Sequence, residues 1–552
     1  MSFLASFYIR THTFIPSLSL SPSFYTTTML LSTLPLRAAS RLASRAMSTG
    51  GTPNNGLDLL IQNAATVQEN DSVVRLLDLG VKDGKFVEIA KAGSVQADRA
   101  TAVHDAKGLM AFPGVVDAHT HIAGIYQDIE LDMFQESKCA AQGGVTTVMP
   151  YIRSGQCYLW EGGAYKDLYQ KFLDHATDNY HCDYAYHVSP IEGQHIGELE
   201  WLIKDQGVVS LGEVFMFYGQ HGLHGARTKE RQQDFLMLEA DDDRYDLGHY
   251  DFVLRELGRL AEKHPELKEF IQIGFHCETP ELLAKWTKLV QGRGDQGHKA
   301  WSDARPTHSE GLAIWTAAYL SAKAKVPNVN ILHITCADAM EAALNVEKIF
   351  PDVSFGREVT AGHLLLDYHS LDDKEPCWMK VNPPIRSRED VETLWEHVAQ
   401  GHVDWIVTDH ASAPTDFKVN AEDPTNIWDA KAGFGGVEYL LAGIYSEGVV
   451  NRGVLTPQDV ARMLCSNPAK RFGLGKSKGS IAVGYDADVA LFDPNKKWTI
   501  DANDSFSTQT YTPFQGIDVT GQVQSTFLRG KKVFDNGDVV GAPSGKNLVR
   551  PM

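Results

Sequence analysis

The feature of this 552-residue chain that most restricts its fold is an alternation of apolar, strand-like runs with helical stretches over about 350 residues. The first run is Val115–His121, and seven more follow it: GVTTVMPY, CDYAYHV, VVSLGEVFMF, FIQIGFHC, VNILHITC, VSFGREVT and VDWIVTDH. Helical patterns such as SEGLAIWTAAYLSAKAK and REDVETLWEHVAQ lie between them. This alternation indicates parallel strands with crossover helices. Eight such units fit a closed barrel, so we predict an α/β fold, a (β/α)₈ TIM barrel.

Both flanks of the predicted barrel have a different pattern, with short strands and tight turns. Before the barrel, Asp83-Gly84 separates two apolar runs, which is a hairpin signal. After Leu474, the strings KGSIAVGYDADVALFD and QVQSTFLRGKKVFDNGDVV show the same pattern. We therefore predict one small β-sandwich domain built from both chain ends. The predicted boundaries are 1–50 for a leader or disordered tail, 51–112 and 475–552 for the two parts of the β domain with the C-terminal tail, and 113–474 for the barrel.

The N-terminal segment differs in composition from the rest of the chain. No acidic residue precedes Asp58, and four arginines lie among many serines and threonines. This composition is typical of a mitochondrial transit peptide. The alternatives are a disordered tail or a translation start at Met47. The predicted location is mitochondrial if the leader is genuine and cytoplasmic otherwise.

Composition and charge exclude several classes of protein. A hydrophobic content of 43% with 22% charged residues is that of a globular protein. A formal net charge of -19 argues against binding to a nucleic acid backbone. No apolar run reaches the length of a membrane-spanning helix. Seven scattered cysteines without a C-x-x-C pair indicate a reducing compartment. We expect neither nucleic acid nor membrane as a partner.

Polar residues that can bind a metal lie at the ends of several predicted strands. His119 and His121 are two residues apart on a strand, so both imidazoles point to the same face. His276, His333 and Asp409 close three later strands. One H-x-H pair could be two polar histidines near a turn, but this series around one barrel mouth indicates a metal site. Imidazole and carboxylate suit Zn²⁺, Mn²⁺, Fe²⁺ or Co²⁺.

Such a cluster favours metal-assisted hydrolysis. A bound metal ion lowers the pKa of water and polarises a carbonyl group. Asp409 could then take a proton from the water and pass it to a leaving nitrogen. The predicted reaction class is therefore hydrolysis of an amide or a related bond.

Longer strings resemble those of the amidohydrolase superfamily, and within it the cyclic amidohydrolases, namely dihydropyrimidinases, hydantoinases and allantoinases. The resemblance covers about Leu57 to Val540. It is carried by GVVDAHTHI, FHCET, WSDARPTHSEG, NILHITCADA, REVTAGHLLLD, KVNPPIR, VDWIVTDHASAP, AGFGGVEYLL, SNPAKRFGL and KGSIAVGYDADVALFD. It implies a TIM barrel with a β-sandwich made from both chain ends.

The resemblance also implies a set of metal ligands. It assigns one divalent ion to His119, His121 and Asp409 and a second to His276 and His333, with Zn²⁺ as the first choice. A lysine carboxylated by CO₂ bridges the two ions in this family. Here the corresponding string reads EVFMFY, and Glu213 stands at the lysine position.

Glu213 supplies the same kind of ligand from a shorter side chain, and we expect it to bridge or bind the metal. The alternatives are a single ion or a crippled site.

Three further residues receive a role from the resemblance. Tyr218 corresponds to a tyrosine that donates a hydrogen bond to the developing oxyanion, although it could also be a core aromatic. Because allantoinases generally lack this tyrosine, it favours a dihydropyrimidinase or hydantoinase. Asn382 and Ala432 lie in loops whose backbone groups hold the cyclic amide. Trp378 and Trp428 could line the pocket, but packing is the favoured interpretation.

Together these observations predict an enzyme that hydrolyses a dihydropyrimidine or hydantoin ring to an N-carbamoyl amino acid. The alternatives are an allantoinase, another cyclic amide or imide hydrolase, and a non-catalytic scaffold of the dihydropyrimidinase-related type. The resemblance also implies a homo-oligomer, commonly a tetramer.

Overall fold

The computed structural model describes residues 56–215, 245–372 and 374–552. Its N-terminal part is a set of short strands: β1 (Leu57–Thr66), β2 (Arg75–Lys82), β3 (Lys85–Lys91), β4 (Ala100–Asp105) and β5 (Met110–Pro113). Asp83 and Gly84 join β2 to β3 as predicted. Their φ angles of 51° and 77° are both left-handed, as the tight turns of twisted hairpins require. The predicted leader, 1–50, lies outside the described residues.

The eight apolar runs form parallel strands in chain order, which confirms the predicted barrel. The strands are β6 (Val115–Thr120), β7 (Val145–Ile152), β8 (Asp183–Tyr184) with β9 (His187–Val188), β10 (Ser210–Phe215), β11 (Gln272–His276), β12 (Asn328–Ile331), β13 (Ser354–Thr360) and β14 (Trp405–Val407). The run CDYAYHV thus forms two short strands rather than one. β8 pairs with β7, whereas β9 pairs with both β7 and β10.

Backbone hydrogen bonds just beyond β6 and β14 close the ring. The Asp409 amide donates to the His119 carbonyl at 3.0 Å, and the His121 amide donates to the His410 carbonyl at 2.8 Å. These bonds lie at the C-terminal ends of the first and last strands, which is the mouth where TIM barrels carry their active sites. The closure therefore fixes His119, His121 and Asp409 side by side.

Helices connect the barrel strands and surround them. Among the described residues they are α1 (Ile129–Gln142), α2 (Tyr165–Ala176), α3 (Gly193–Ile196), α4 (Leu199–Lys204), α5 (Leu247–Lys263), α6 (Pro280–Gly292), α7 (Gly297–Asp303), α8 (Thr307–Ala324), α9 (Ala337–Ile349), α10 (Ala361–Leu365), α11 (Arg388–Ala399), α12 (Thr415–Lys418), α13 (Leu440–Ile444), α14 (Pro457–Ala461) and α15 (Asn467–Arg471). Within this set, none combines the length and the hydropathy that crossing a bilayer requires.

The two chain ends meet in one β domain, as predicted. Its C-terminal strands are β15 (Val489–Thr499), β16 (Asp518–Leu528), β17 (Lys531–Asp535) and β18 (Asp538–Val539). β15 pairs antiparallel with β5, so the described strands form one sheet in the order β18-β17-β16-β15-β5-β1-β2-β3, with β4 beside β1. Buried residues from both ends, including Ile61, Phe86 and Leu491, form its core.

One close helix contact provides a test of barrel packing. A Cβ atom on Gly258 of α5 would lie 1.8 Å from the carbonyl oxygen of Ala324, at the end of α8. We expect Gly258→Ala to destabilise the protein by about 1–3 kcal/mol through overpacking. Gly292→Ala is the matched control, because a Cβ there has no atom within 4 Å. Thermal unfolding of the two variants at one scan rate should differ; equal transition temperatures would contradict the contact.

Candidate metal centre and substrate site

Two groups of three side chains converge at the barrel mouth. In the first, the Nε2 atoms of His119 and His121 lie 3.2 and 3.0 Å from Asp409 Oδ1. In the second, Glu213 Oε1 lies 2.9 Å from both His276 Nδ1 and His333 Nε2. Within each group, the potential ligand atoms all lie within 4.8 Å of one another. The structure thus brings all six predicted ligand residues to one end of the barrel.

Glu213 lies between the two groups. While its Oε1 faces the second group, its Oε2 lies 3.8 Å from His121 Nε2 in the first. The carboxylate therefore presents one oxygen to each group, although a glutamate side chain is shorter than a carboxylated lysine.

The donor atoms fit a divalent metal ion. The set consists of imidazole nitrogens and carboxylate oxygens, which suit first-row divalent cations. His119 Nε2 is also buried and lacks a hydrogen bond of acceptable geometry, although Asp409 is near. A buried nitrogen of this kind is normally satisfied by a partner, and a metal ion would satisfy it here.

The electrostatics of the first group also favour a cation. Burial opposes ionisation of Asp409, but the nearby charges of His119 and His121, together with the hydrogen bond from His121, hold its pKa well below the usual value. Burial likewise opposes protonation of His119, yet Glu358 and Asp409 raise its pKa well above the ordinary value. The carboxylate charge is thus balanced by a protonated ring, the place that a metal ion would take.

Glu358 on β13 orients the first histidine. Its Oε1 accepts a hydrogen bond from His119 Nδ1 at 2.7 Å and one from the His333 amide at 3.2 Å. Its Oε2 accepts from Trp405 Nε1 at 2.9 Å. With Nδ1–H held by the carboxylate, His119 Nε2 faces the first group, and in the neutral ring its lone pair would be available to a metal ion. Partners of this kind fix the tautomer and the ring orientation of metal-binding histidines.

The next two histidines are oriented by different partners. His121 Nδ1 lies 3.1 Å from the Tyr158 hydroxyl, which leaves Nε2 facing Asp409. The ring of His276 has the opposite orientation: its Nε2 lies 2.8 Å from Glu278 Oε2, so its Nδ1 faces Glu213. Arg305 in turn donates from Nε to Glu278 Oε1 at 2.8 Å.

Sequence reasoning missed these supporting residues. Glu358, Glu278 and Arg305 lie within the strings REVT, FHCET and DARPTH, but no local pattern shows which histidine each one contacts. An acidic residue inside a buried strand, such as Glu358 in VSFGREVT, was the available signal, since buried carboxylates require partners.

Of the predicted substrate contacts, Tyr218 lies outside the described residues. The Ala432 carbonyl accepts a hydrogen bond from the Tyr126 hydroxyl at 2.7 Å. Burial and nearby charges, including those of Asp409 and Glu213, raise the pKa of Tyr126. The Oδ1 atom of Asn382 is buried and has no hydrogen-bond partner in the described part of the chain.

The two tryptophans that could have lined the pocket make packing contacts. Trp378 stacks on Tyr511 with ring centroids 4.2 Å apart, and Trp428 packs edge-on against Trp301 at 5.9 Å. These contacts favour the packing interpretation.

The arrangement has close parallels among known proteins. The model of a family described as "Amidohydrolase family" matches residues 308–533. The D-hydantoinase of Ralstonia pickettii is 28% identical over 502 residues, which cover 90% of this chain and 99% of that protein.

This chain is thus similar to members of the amidohydrolase family over most of its length. The allantoinase of Rubrobacter xylanophilus is 27% identical over 497 residues, covering 90% of this chain and 98% of the relative. The crystal structure of dihydropyrimidinase from Brevibacillus agri NCHU1002 aligns with a TM-score of 0.73 and 25% identity, over 89% of this chain and 98% of that one. The family and the fold predicted from sequence are thus confirmed.

The contact between Glu358 and His119 generates a prediction about metal retention. Glu358→Gln should weaken metal binding about 10- to 100-fold, because a neutral amide supports the His119 ring less strongly than a carboxylate does. Metal per chain, measured by elemental analysis after dialysis against graded chelator concentrations, reports this change. The control is Glu347→Gln on α9, whose exposed carboxylate contacts Arg357 at 3.0 Å. Equal retention in both variants would remove Glu358 from the centre.

Proposed function

We propose that this protein hydrolyses the C–N bond of a cyclic amide, a dihydropyrimidine or hydantoin-type ring, to give an N-carbamoyl amino acid. The observation that carries the proposal is the pair of ligand groups joined by Glu213 at the barrel mouth. The D-hydantoinase and dihydropyrimidinase named above support this substrate class.

The residues at the mouth would divide the chemistry among them. We assign one divalent ion to His119, His121 and Asp409 and a second to His276 and His333, with Zn²⁺ as the first choice. When bound, the ions would activate water and polarise the ring carbonyl. Asp409 would take the proton of the attacking water and deliver it to the leaving ring nitrogen.

Backbone groups would hold the ring, and a phenol would stabilise the oxyanion. We assign the ring contacts to the main chain at Asn382 and Ala432. By resemblance we assign to Tyr218 the hydrogen bond to the developing oxyanion.

Glu213 has a defined role in this proposal. One oxygen faces His276 and His333, and the other faces His121, so the side chain would contact both ions. Burial opposes its ionisation, but hydrogen bonds from these two second-group histidines hold its pKa below the ordinary value. Glu213 would therefore be a charged ligand at neutral pH.

Allantoin is the second candidate substrate. Several of the relatives are named allantoinase, including those of Rubrobacter xylanophilus and Deinococcus radiodurans, at 27% and 28% identity. We further propose, from the resemblance alone, a homotetramer, and a mitochondrial or cytoplasmic location according to whether the N-terminal segment is a leader.

The test combines metal content with activity. Protein purified without chelator should contain about two metal ions per chain, and Glu213→Ala should contain one or none. The wild type should open dihydrouracil, hydantoin or allantoin, and the variant should lose most of this activity. Glu422→Gln, an exposed change, serves as the control. A metal-loaded wild type that opens none of the three rings would overturn the proposed substrate class, and unchanged metal in Glu213→Ala would overturn the bridging role.

A further inference from the structure

Two buried lysines lie outside the candidate metal centre. Lys380 and Lys418 are 4% and 0% exposed to solvent. In the described part of the chain, neither ammonium group lies within ion-pair distance of a carboxylate. Buried lysines without a carboxylate are rare, because removing the charge from water is costly.

Main-chain carbonyl groups surround both ammonium groups. Lys380 Nζ donates to the carbonyls of Ile427 at 2.6 Å and Ala430 at 2.5 Å, and it lies 4.1 Å from the Trp301 ring. Lys418 Nζ donates to the carbonyl of Lys380 at 2.9 Å and to that of Gly433. The acceptors thus belong to two segments, one at Lys380 and one from Ile427 to Gly433.

These two segments carry the residues assigned to backbone recognition of the substrate. Asn382 follows Lys380 by two residues, and Ala432 lies between Ala430 and Gly433. Direct backbone hydrogen bonds also join the segments, since the Gly433 amide donates to the Lys380 carbonyl at 2.9 Å. The Lys380 carbonyl therefore accepts from both the Lys418 ammonium and the Gly433 amide.

Packing alone does not account for charged groups in these positions. Replacing a buried ionic group by an apolar side chain of similar volume is often neutral or stabilising. Burial lowers the pKa of Lys380 to about 7 and that of Lys418 well below its ordinary value, because both ammonium groups are removed from water. An apolar chain could fill the same space but could not bind five carbonyl oxygens from two loops at fixed positions.

We propose that Lys380 and Lys418 are positioning residues that hold the backbone around Asn382 and Ala432 as a preformed cradle for the cyclic amide. The inference rests on the proposed function. A ring bound through main-chain groups depends on where those groups lie, so displacement of the groups weakens binding of the ring in the ground state and the transition state alike and raises KM. Preorganised loops also avoid the entropy cost of ordering when the ring binds.

The test removes each lysine ammonium group by mutation and then supplies an equivalent amine in solution. Lys380→Ala and Lys418→Ala lack three methylene groups and the amine, which together correspond to propylammonium. On the ring that the wild type hydrolyses best, we expect KM to rise roughly 10- to 100-fold with a much smaller change in kcat. Metal per chain should remain at the wild-type value. Added propylammonium should lower KM again, whereas tetramethylammonium, which has the charge but no N–H donor, should not.

The control is Glu422→Gln, an exposed change in the same loop, for which KM should stay at the wild-type value. Unchanged KM in both lysine variants would overturn the inference. So would equal losses of metal, kcat and KM without rescue by propylammonium, which would indicate general structural damage. If one variant does not fold, the other decides. A wild type that opens none of the rings would contradict the proposed function and not the positioning role. In that case, amide hydrogen exchange of residues 424–433 in metal-loaded protein tests the lysines. Faster exchange in the variants than in the wild type supports the positioning role, and unchanged exchange overturns it.

Discussion

The backbone hydrogen bonds that join the ends of β6 and β14 decide where every candidate ligand lies. They link the Asp409 amide to the His119 carbonyl and the His121 amide to the His410 carbonyl. Without them, the first and last strands of the barrel would not meet, and residues almost 300 positions apart in the chain would not share an ion. The second group follows from the same closed ring, since β10, β11 and β12 are consecutive neighbours in it.

The backbone at two of the ligand residues has an unusual conformation. Asp409 and His333 have φ angles of 57° and 34°, a region that residues other than glycine rarely adopt.

The closed barrel places several carboxylates in a buried region, where hydrogen bonds from neighbouring side chains stabilise their charges. Glu213, Glu358 and Glu278 are all almost completely buried. Each accepts hydrogen bonds from imidazole rings, and Glu278 also pairs with Arg305. An isolated carboxylate in such a place would be strongly destabilising, whereas one with several donors can keep its charge. The same hydrogen bonds set the direction of each histidine, so stability and ligand geometry depend on the same contacts.

Much of the fold and of the ligand set could be predicted from the sequence, because both depend on local periodicity. Apolar runs located the barrel strands, and the position of a residue at a strand end predicted that His276 and His333 would face the mouth. Contacts between distant segments could not be predicted in this way. His119 and Glu358 are 239 positions apart, and nothing near either residue identifies the other. Lysine side chains are usually solvated, so the burial of Lys380 and Lys418 had no signal in the sequence. The reach of Glu213 to His333, 120 residues later, likewise depends on the closed barrel.

A glutamate at position 213 would also change how the centre is assembled. A carboxylated lysine forms only after translation, by reversible reaction of a neutral amine with dissolved carbon dioxide. Its occupancy therefore varies with bicarbonate supply, and it decomposes in acid. A glutamate carboxylate is present as soon as the chain is synthesised and does not decompose in acid. A centre bridged by Glu213 would load its ions in a medium free of carbon dioxide as readily as in one saturated with it.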